Sequence, residues 1–377
     1  FKVETALGVH HAKASKKNLI LMTGSFALSI ILFLAFSVTV DFMHGALTPL
    51  SPWTADLSIS STDNSGSVDN GLSKKMQENP AVKAVYGRMV AYDVPVTVNG
   101  EQKKVDLVSY EQHQFEWAKD YLLEGSLDSV QNQADTALVV YEPENTIEMG
   151  NTVILDIGGK SSKLQISGVL SSASFKNDNE TGIIICSEET FRQLTGESDY
   201  AILDIQLNKN TTDAEVNEVK QMAGTSYKIS DERMDNSSVT GTYYCFWLFV
   251  YGFLVLIAMI TAFNIINSLA MSVASRTKQY GTFRAIGLSI RQLKKMIVAE
   301  ACMYALMGGI IGTVVGLLCN KVLFEILITS HWGTAWAVPW AEIGIILLVI
   351  ILSVVLAILG PIRKIQKMSI VDTISTQ

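Results

Sequence analysis

Positions 276–295 hold six basic residues and no acidic residue, between two long apolar runs. The six are Arg276, Lys278, Arg284, Arg291, Lys294 and Lys295. The chain as a whole carries a formal net charge of -7, so this local excess of positive charge runs against its composition. Basic groups in a short connection can hold it on the cytoplasmic side of a membrane or bind a partner protein.

The other residues that could do chemistry form no catalytic or metal-binding pattern. The five histidines are scattered, and the adjacent His10 and His11 cannot both face one side of a helix. No Cys-x-x-Cys occurs and only Cys186 falls clearly in the polar region, which disfavours a disulfide framework and a zinc site. Residues 159–161, Gly-Lys-Ser, look like the end of a phosphate-binding loop, but Ile154 stands where that loop needs glycine. We therefore expect no catalytic residue, no metal and no cofactor bound by this chain.

Four apolar runs are long enough to cross a bilayer. The chain is 49% hydrophobic with a mean hydropathy of +0.28, more apolar than a typical soluble protein. A bilayer core of roughly 30 Å needs about 20 helical residues. The first run is longer than the apolar core of about 7–15 residues that marks a cleavable signal peptide. We predict an α-helical membrane protein with four transmembrane helices, at residues 19–40, 243–272, 296–318 and 340–360.

The distribution of basic residues predicts the orientation of these spans. Lysine and arginine in short flanking loops stay in the cytoplasm. Such residues precede the first span, fill the loop 273–295 and follow the fourth span. We therefore place both termini, in segments 1–18 and 361–377, and the loop in the cytoplasm, and residues 41–242 and 319–339 outside. Four tryptophans fall at the predicted outer ends of the spans, where their rings suit the membrane interface: Trp247, Trp332, Trp336 and Trp340.

Residues 41–242 are too long for a loop and predict an α+β extracytoplasmic domain inserted between the first and second spans. Asn99-Gly100 between two alternating runs predicts a β-hairpin with a type I′ turn. Helical spacing over 111–123 places Phe115, Ala118 and Leu122 on one face. Residues 183–186 predict a short buried strand, followed by a helix with Ser187 as its N-cap. Segment 1–18 is weakly amphipathic and fits a short helix at the membrane surface.

Polar and small residues inside the spans predict helix packing. Asn264 and Asn267 share a face of the second span, which favours an interhelical hydrogen bond over a substrate contact. Glycines at spacings of four in the third span predict close approach of another helix, in this chain or in a dimer. They are Gly308, Gly312 and Gly316. We expect Glu300 to pair with Lys294 or Lys295 rather than to carry protons.

The basic stretch also has the signature of an ordered turn. Ser289 with Gln292 three residues later is a capping-box pattern, which predicts that a helix restarts there and continues into the third span. Gly281 and Gly287 bracket the segment 282–286. A loop that served only as a topological signal would need the charges but not this helix-break-helix arrangement.

The segment 264–316 resembles the FtsX/MacB-like family of ABC transporter permeases. That family shows an Arg-x-(Lys/Arg)-Glu segment followed by a Leu-Arg-Ala-x-Gly core. The matching residues here are Arg276, Lys278, Arg284, Ala285 and Gly287, whereas Gln279 stands where Glu is usual and Phe283 where Leu is usual. Residues 149–153 and 166–170 are similar to elements of the MacB periplasmic core domain, and the order of one span, a large outer domain and three spans also matches.

The resemblance implies a mechanism and partners. The cytoplasmic loop would dock on a separate ATP-binding subunit, which holds ATP and Mg²⁺, and movement would pass through the spans to the outer domain. The residues implied in this coupling are Arg276, Lys278, Phe283, Arg284, Ala285, Ile286 and Gly287. Such ATPases work as pairs, so a second permease copy or a related half is expected, in a bacterial cytoplasmic membrane and without nucleic acid. The chain begins at Phe1, which leaves a missing N-terminal half open.

Three other classes of function stay open on the residues alone. A ligand-sensing membrane receptor is the first alternative, although the cytoplasmic segments are too short for an output domain. A membrane-bound enzyme is disfavoured because no catalytic constellation occurs, and a secondary transporter because the repeats and broken helices it needs are missing. The cargo, whether a peptide, a lipid or a drug-like molecule, is left open, as is the choice between export, extraction and signalling.

Overall fold

A computed structural model describes most of the chain, in two compact units. The described residues are 16–46, 51–61, 67–143, 147–175, 181–285 and 287–367, together with Ala6, Val9 and His10. One unit holds the four long helices. The other, called here the outer unit, holds residues 45–245 and the short segment Ile328–Ala335. Most of the predicted amphipathic segment 1–18, and residues 368–377 of the predicted tail, lie outside the described residues.

The helices follow one another along the chain in this order: α1 (Lys16–Ala46), α2 (Asn70–Gln77), α3 (Gln112–Ala118), α4 (Leu127–Asn132), α5 (Glu188–Thr195), α6 (Asp213–Ala223), α7 (Arg233–Ser275), α8 (Thr277–Ala285), α9 (Ile290–Phe324), α10 (Ser330–Trp332) and α11 (Trp340–Lys367). A 3₁₀ turn, Lys119–Tyr121, follows α3, and a π-helical turn, Glu325–Thr329, joins α9 to α10. The strands are β1 (Leu57–Ser61), β2 (Val82–Arg88), β3 (Val90–Val98), β4 (Glu101–Tyr110), β5 (Leu122–Gly125), β6 (Thr136–Val140), β7 (Thr152–Ile157), β8 (Lys160–Leu170), β9 (Gly182–Ser187), β10 (Ile202–Leu207) and β11 (Tyr227–Asp231).

Within the described residues, four helices are long and apolar enough to cross a membrane, and this confirms the prediction of four spans. Each helix extends beyond its apolar run, since α7 begins at Arg233 and α9 begins at Ile290. One face of each packs into a common core around Phe26, Ile265 and Tyr304. The opposite faces leave large apolar side chains exposed, as a lipid-facing surface requires.

The outer unit contains a four-stranded antiparallel sheet in the order β11-β1-β10-β2. Leu57 and Ile59 of β1 face a core that α2 and α6 complete with Met76 and Val216. Because side chains alternate along a strand, the residues between them face the other way. The opposite face of this sheet is therefore polar, beginning with Ser58.

The remaining strands form a sheet that closes on itself. Its order is β5-β8-β6-β9-β4-β3-β7, and the long strand β8 also pairs with β7. The enclosed core is aliphatic and includes Val96, Leu107, Val139 and Ile184. A second cluster, with Phe115 of α3, packs α3 and α4 on the outside of the barrel. The predicted α+β domain is confirmed.

Local predictions in the outer unit met different outcomes. The Asn99-Gly100 hairpin is confirmed, since both residues have positive φ, 51° and 87°, and β3 pairs with β4 around them. The N-cap at Ser187 is also confirmed, since its side chain accepts a bond from Thr190 N. The prediction that Leu122 shares a helical face was wrong, because α3 ends at Ala118 and Leu122 pairs in a strand. Spacings of three and four cannot distinguish a helix from a helix that turns into a strand.

Candidate functional site: the turn between α7 and α9

The basic stretch folds into a helical turn with defined ends. α7 ends at Ser275, and Arg276 forms the break before α8, donating its backbone N–H to Val273 O over 3.2 Å and accepting from Tyr280 N over 3.1 Å. The predicted capping box at the start of α9 is confirmed. Ser289 N donates to Gln292 Oε1 over 2.9 Å, and Ser289 Oγ accepts from Gln292 N over 3.3 Å. The short helix α8 is thus bounded at both ends by specific hydrogen bonds.

Gly287 closes the end of α8 with a left-handed backbone. Its φ is +101°, a conformation that costs L side chains free energy. Leu288 N donates to Phe283 O over 3.0 Å, the long closing bond of a Schellman motif with glycine at its usual position. A Cβ built on Gly287 meets no atom within 4 Å, so the requirement for glycine comes from the backbone and not from crowding.

A buried ion pair ties this turn to α9. Arg276 Nη1 lies 2.7 Å from Glu300 Oε1, and the two residues are only 8% and 4% exposed. Tyr304 donates its hydroxyl to the same oxygen of Glu300 over 2.9 Å. Removing one partner of a buried pair typically costs about 3–5 kcal/mol, because a charge is then left without compensation. The connection between α7 and α8 is therefore fixed on the third span.

The prediction that Glu300 pairs with Lys294 or Lys295 was wrong. Residues five or six positions apart on a helix point in different directions, since neighbours on one face are three or four apart. Lys295 is exposed on α9, whereas Glu300 faces inward with Tyr304, four residues later. The partner of Glu300 comes from the helix break at Arg276, 24 positions earlier.

Side chains of α8 complete the buried cluster. Tyr280 is 1% exposed, and its hydroxyl has no hydrogen-bond partner among the described residues. Phe283 packs, partly buried, against the same core, which includes Leu293 and Met296 of α9. α8 therefore presents an apolar face inward, while Gln279 and Thr282 are exposed on its other side.

The predicted coupling residues divide into four groups. Arg276 and Phe283 face the interior of the helical unit, and Gly287 is exposed. The backbones of Lys278, Arg284 and Ala285 lie in α8, but their side chains are outside what the structure describes. Ile286 lies outside the described residues. Docking through these residues stays a prediction. The buried Arg276 would contribute to it by holding the turn in position through its ion pair with Glu300.

The predicted packing glycines of α9 lie against α1. They are Gly308, Gly312 and Gly316. A Cβ at Gly312 would lie 2.8 Å from Ala27 Cα, and one at Gly316 would lie 2.9 Å from Leu34 Cδ1. These distances are shorter than ordinary contacts, so the close approach of the two helices needs glycine.

By contrast, the side chains of Asn264 and Asn267 are exposed on α7 in the single chain, and their packing role stays a prediction.

Asn320 is a buried polar residue that the sequence reasoning missed. It is 2% exposed, donates to Leu34 O over 2.8 Å and accepts from Trp336 Nε1 over 2.9 Å. The signal was present, since Asn320 continues the glycine series at the same spacing of four. Trp336, predicted at the membrane interface, thus also connects the end of α9 to the segment before α11.

The other predicted interface tryptophans have different surroundings. Trp247 on α7 is 42% exposed and Trp340 at the start of α11 is 75% exposed. The ring of Trp332, in the outer unit, lies 3.2 Å from where a Cβ of Gly45 would be. Among the described residues, no group of three or more His, Cys, Asp or Glu side chains is placed to bind a metal ion.

Comparisons with known proteins match part of the chain. Residues 251–370 match the model of the FtsX-like permease C-terminal domain. The uncharacterized ABC transporter permease MJ0797 of Methanocaldococcus jannaschii is 25% identical over 190 residues, which are 47% of this chain and 49% of that protein. The chain thus spans about half the length of this relative.

Two solved structures resemble part of the chain. The extracellular domain of the noncanonic ABC-type transporter YknZ from Gram-positive bacteria is 14% identical, with a TM-score of 0.34, over 46% of this chain and 98% of that domain. The periplasmic region of MacB from Actinobacillus actinomycetemcomitans is 10% identical, with a TM-score of 0.35, over 48% of this chain and 91% of that region.

Proposed function

We propose that this chain is the permease subunit of an ABC-type transporter, on the premise that its residues 251–370 match the FtsX-like permease C-terminal domain. It is a multi-pass membrane protein with four apolar helices among its described residues. ATP would be hydrolysed by a separate subunit, which holds ATP and Mg²⁺, and this chain would convert that event into movement of its helices.

The observation that carries the proposal is the construction of the turn at α8. A docked subunit can displace a membrane helix only if the contact surface is rigidly joined to that helix. Here α8 is joined to α9 by the Arg276–Glu300 pair and by the packing of Tyr280 and Phe283. A loop held this firmly transmits displacement, whereas a flexible loop would absorb it.

The direction of transmission follows from chain continuity. α7 is one helix from Arg233 to Ser275, and its first residues, up to Cys245, belong to the outer unit. Displacement of its last turn by α8 is thus passed along a continuous helix toward the outer domain. Export, extraction or signalling of a peptide, a lipid or a drug-like molecule would each use such a movement.

The partners follow from the same proposal. An ATP-binding subunit docks on the α8 turn from the cytoplasm, and a second permease copy or a related half completes the assembly, because these ATPases act in pairs. The apolar face of α7 that includes Phe249, Leu256 and Ile260 is more than half exposed at each of these side chains, and it would be available to lipid or to that second permease. The assembly lies in a bacterial cytoplasmic membrane, with both termini of this chain inside.

The test is an affinity purification in mild detergent from the native membrane, followed by an ATPase assay of the eluate. We expect an ATP-binding subunit to copurify with the wild-type chain. Gly287→Pro and Ala285→Asp should reach the membrane at normal levels but lose the ATPase activity. Gln102→Asp, which adds an acid at an exposed position of the β3–β4 hairpin, is the matched control and should behave as wild type.

Two results would count against the proposal. Normal ATPase recovery with both loop variants would refute docking at the α8 turn. If cross-linking in intact cells before purification also captured no ATP-binding subunit, the chain would instead be a ligand-sensing receptor, the alternative that needs no ATPase.

A further inference from the structure

A polar groove with a cavity volume of about 410 Å³ lies within the outer unit, over the face of the four-stranded sheet that points away from its core. The register of the sheet explains its composition. Ser60 of β1 pairs with Lys228 of β11 and with Ile202 of β10, and Ile202 pairs with Arg88 of β2. One row across the sheet thus has a basic residue at each edge. All residues that line the groove belong to the outer unit.

The neighbouring row forms the floor of the groove. Ser58 of β1 pairs with Asp204 of β10, and its hydroxyl donates to Asp204 Oδ1 over 2.5 Å. Arg88 forms an ion pair with the other oxygen of Asp204 and lies 4.8 Å from the centroid of the Phe175 ring. Arg88 and Asp204 are 6% and 5% exposed. Because each neutralises the other, the floor is fixed and carries no net charge.

Two charged side chains in the lining of the groove have no charged partner among the described residues. Lys228 and Glu232 line it, and neither forms an ion pair with any described residue. They lie four positions apart along β11 and its extension, so they face the same side, with about 13 Å between their Cα atoms at about 3.3 Å per residue. The hydroxyl of Ser60 lies between them along this face, as does that of Ser230, which donates to Glu232 Oε1. The groove therefore offers a cation at one end, an anion at the other, and neutral hydrogen-bonding groups between.

We propose that this groove binds a short zwitterionic peptide, with its carboxylate at Lys228 and its ammonium group at Glu232. A free amino acid carries both charges on one carbon and cannot reach both ends. An extended peptide of about three residues spans about 10 Å, which the two side chains can bridge. The volume of the groove falls within the usual range of small-ligand pockets, about 300–1,000 Å³. Trp53 and Phe175 supply apolar surface for the side chains of the peptide.

The test measures binding of trialanine to the full-length protein in detergent by isothermal titration calorimetry. The proposal concerns the two terminal charges of the peptide, so trialanine must bind. N-acetyl-trialanine and trialanine amide each lack one of these charges and should each bind at least about tenfold more weakly. This is a loss of about 1.4 kcal/mol in the free energy of binding. Glu232→Gln should remove the difference between trialanine and its acetylated form. Lys228→Met should remove the difference between the acid and the amide.

The matched control is Lys160→Met, at the exposed lysine that begins β8, which should bind as wild type does. Circular dichroism would verify that each variant is folded. Absence of trialanine binding at millimolar concentration, or equal affinity for free alanine, overturns the proposal. So does unchanged discrimination between the blocked and free peptides in both variants. Binding needs no ATP-binding subunit, so this result is independent of the proposed coupling at α8.

Discussion

At the scale of single residues, the buried pair of Arg276 and Glu300 shows how one contact can define a functional turn. Both groups are removed from water, and the desolvation cost is offset by the contact between them and by the hydroxyl that Tyr304 donates to the carboxylate. The pair contributes specificity more than net stability, because it forms only when the break after α7 lies directly beside α9. It thus selects one position for α8.

Glu300→Gln should destabilise the protein by about 3–5 kcal/mol, because the guanidinium of Arg276 is then buried without a counter-charge. The measurement is the melting curve of the purified protein in detergent. Glu325→Gln is the control, since Glu325 pairs with Lys321 at 3.7 Å on an exposed surface, where a pair contributes about 0–1 kcal/mol. The double variant with Arg276→Gln should lose less than the sum of the single variants. Additive losses would show that the two groups do not interact.

Glu111, the residue before α3 in the outer unit, is a second residue whose protonation state affects the stability of the fold. Burial, and secondarily the carboxylate of Glu188, raise the pKa of Glu111 to about 7. Its Oε1 has no hydrogen-bond partner among the described residues, and His113 Nδ1 lies 3.6 Å from it. In the unfolded chain this pKa is about 4.3, so the folded state holds the proton more tightly. Stability is therefore lost as pH rises from about 4.5 to about 7.

Glu111→Gln should remove this pH dependence. At pH below about 4.5 the variant and the wild type should melt at similar temperatures, since both carry a neutral side chain there. Above about pH 7 the variant should be more stable, by about 3–4 kcal/mol, because no buried carboxylate has to form. Melting curves across this range, with the exposed Glu116→Gln as control, provide the measurement. A variant that is less stable than the wild type at high pH would contradict the raised pKa.

At the scale of elements, the contact between α1 and α9 depends on the absence of side chains. Gly312→Ala should destabilise the protein by about 1–3 kcal/mol, because the new Cβ meets Ala27 at 2.8 Å and both helix backbones must shift. Gly309→Ala is a closely matched control, since its Cβ would meet no atom within 4 Å. That control should be neutral or stabilising by up to about 1 kcal/mol, through helix propensity. Equal melting temperatures for the two variants would rule out the close contact.

The elements also show which features the sequence can predict. The capping box at Ser289 and the close approach at Gly312 depend on residues within one turn of each other, so spacing alone reveals them. The partner of Glu300 depends on where a helix breaks 24 residues earlier, and no local pattern contains that information. The strand at Leu122 was hidden for a related reason, since only its pairing with β8 distinguishes it from a continued helix.

At the scale of the whole molecule, the distribution of charge predicts which segments lie on which side of the membrane. The stretch 276–295 carries six basic residues and no acid, whereas the chain as a whole has a net charge of -7. Basic residues close to a membrane span resist translocation, and acidic residues contribute little to orientation. This asymmetry, together with four spans, predicts that the α8 turn lies in the cytoplasm and the outer unit lies on the other side.

Labelling of single cysteines in whole cells tests this orientation. The background replaces Cys245, Cys302 and Cys319 and keeps the buried Cys186. Lys160→Cys, at the exposed first residue of β8, should react with a membrane-impermeant maleimide in intact cells, because the outer unit is predicted to face the medium. Lys295→Cys, exposed near the start of α9, should react only after the membrane is permeabilised. The control is the background protein, which has Cys186 but neither of the two introduced cysteines. Labelling of Lys295→Cys in intact cells would show that the orientation is the reverse of the predicted one. An ATP-binding subunit in the cytoplasm could then not reach the α8 turn.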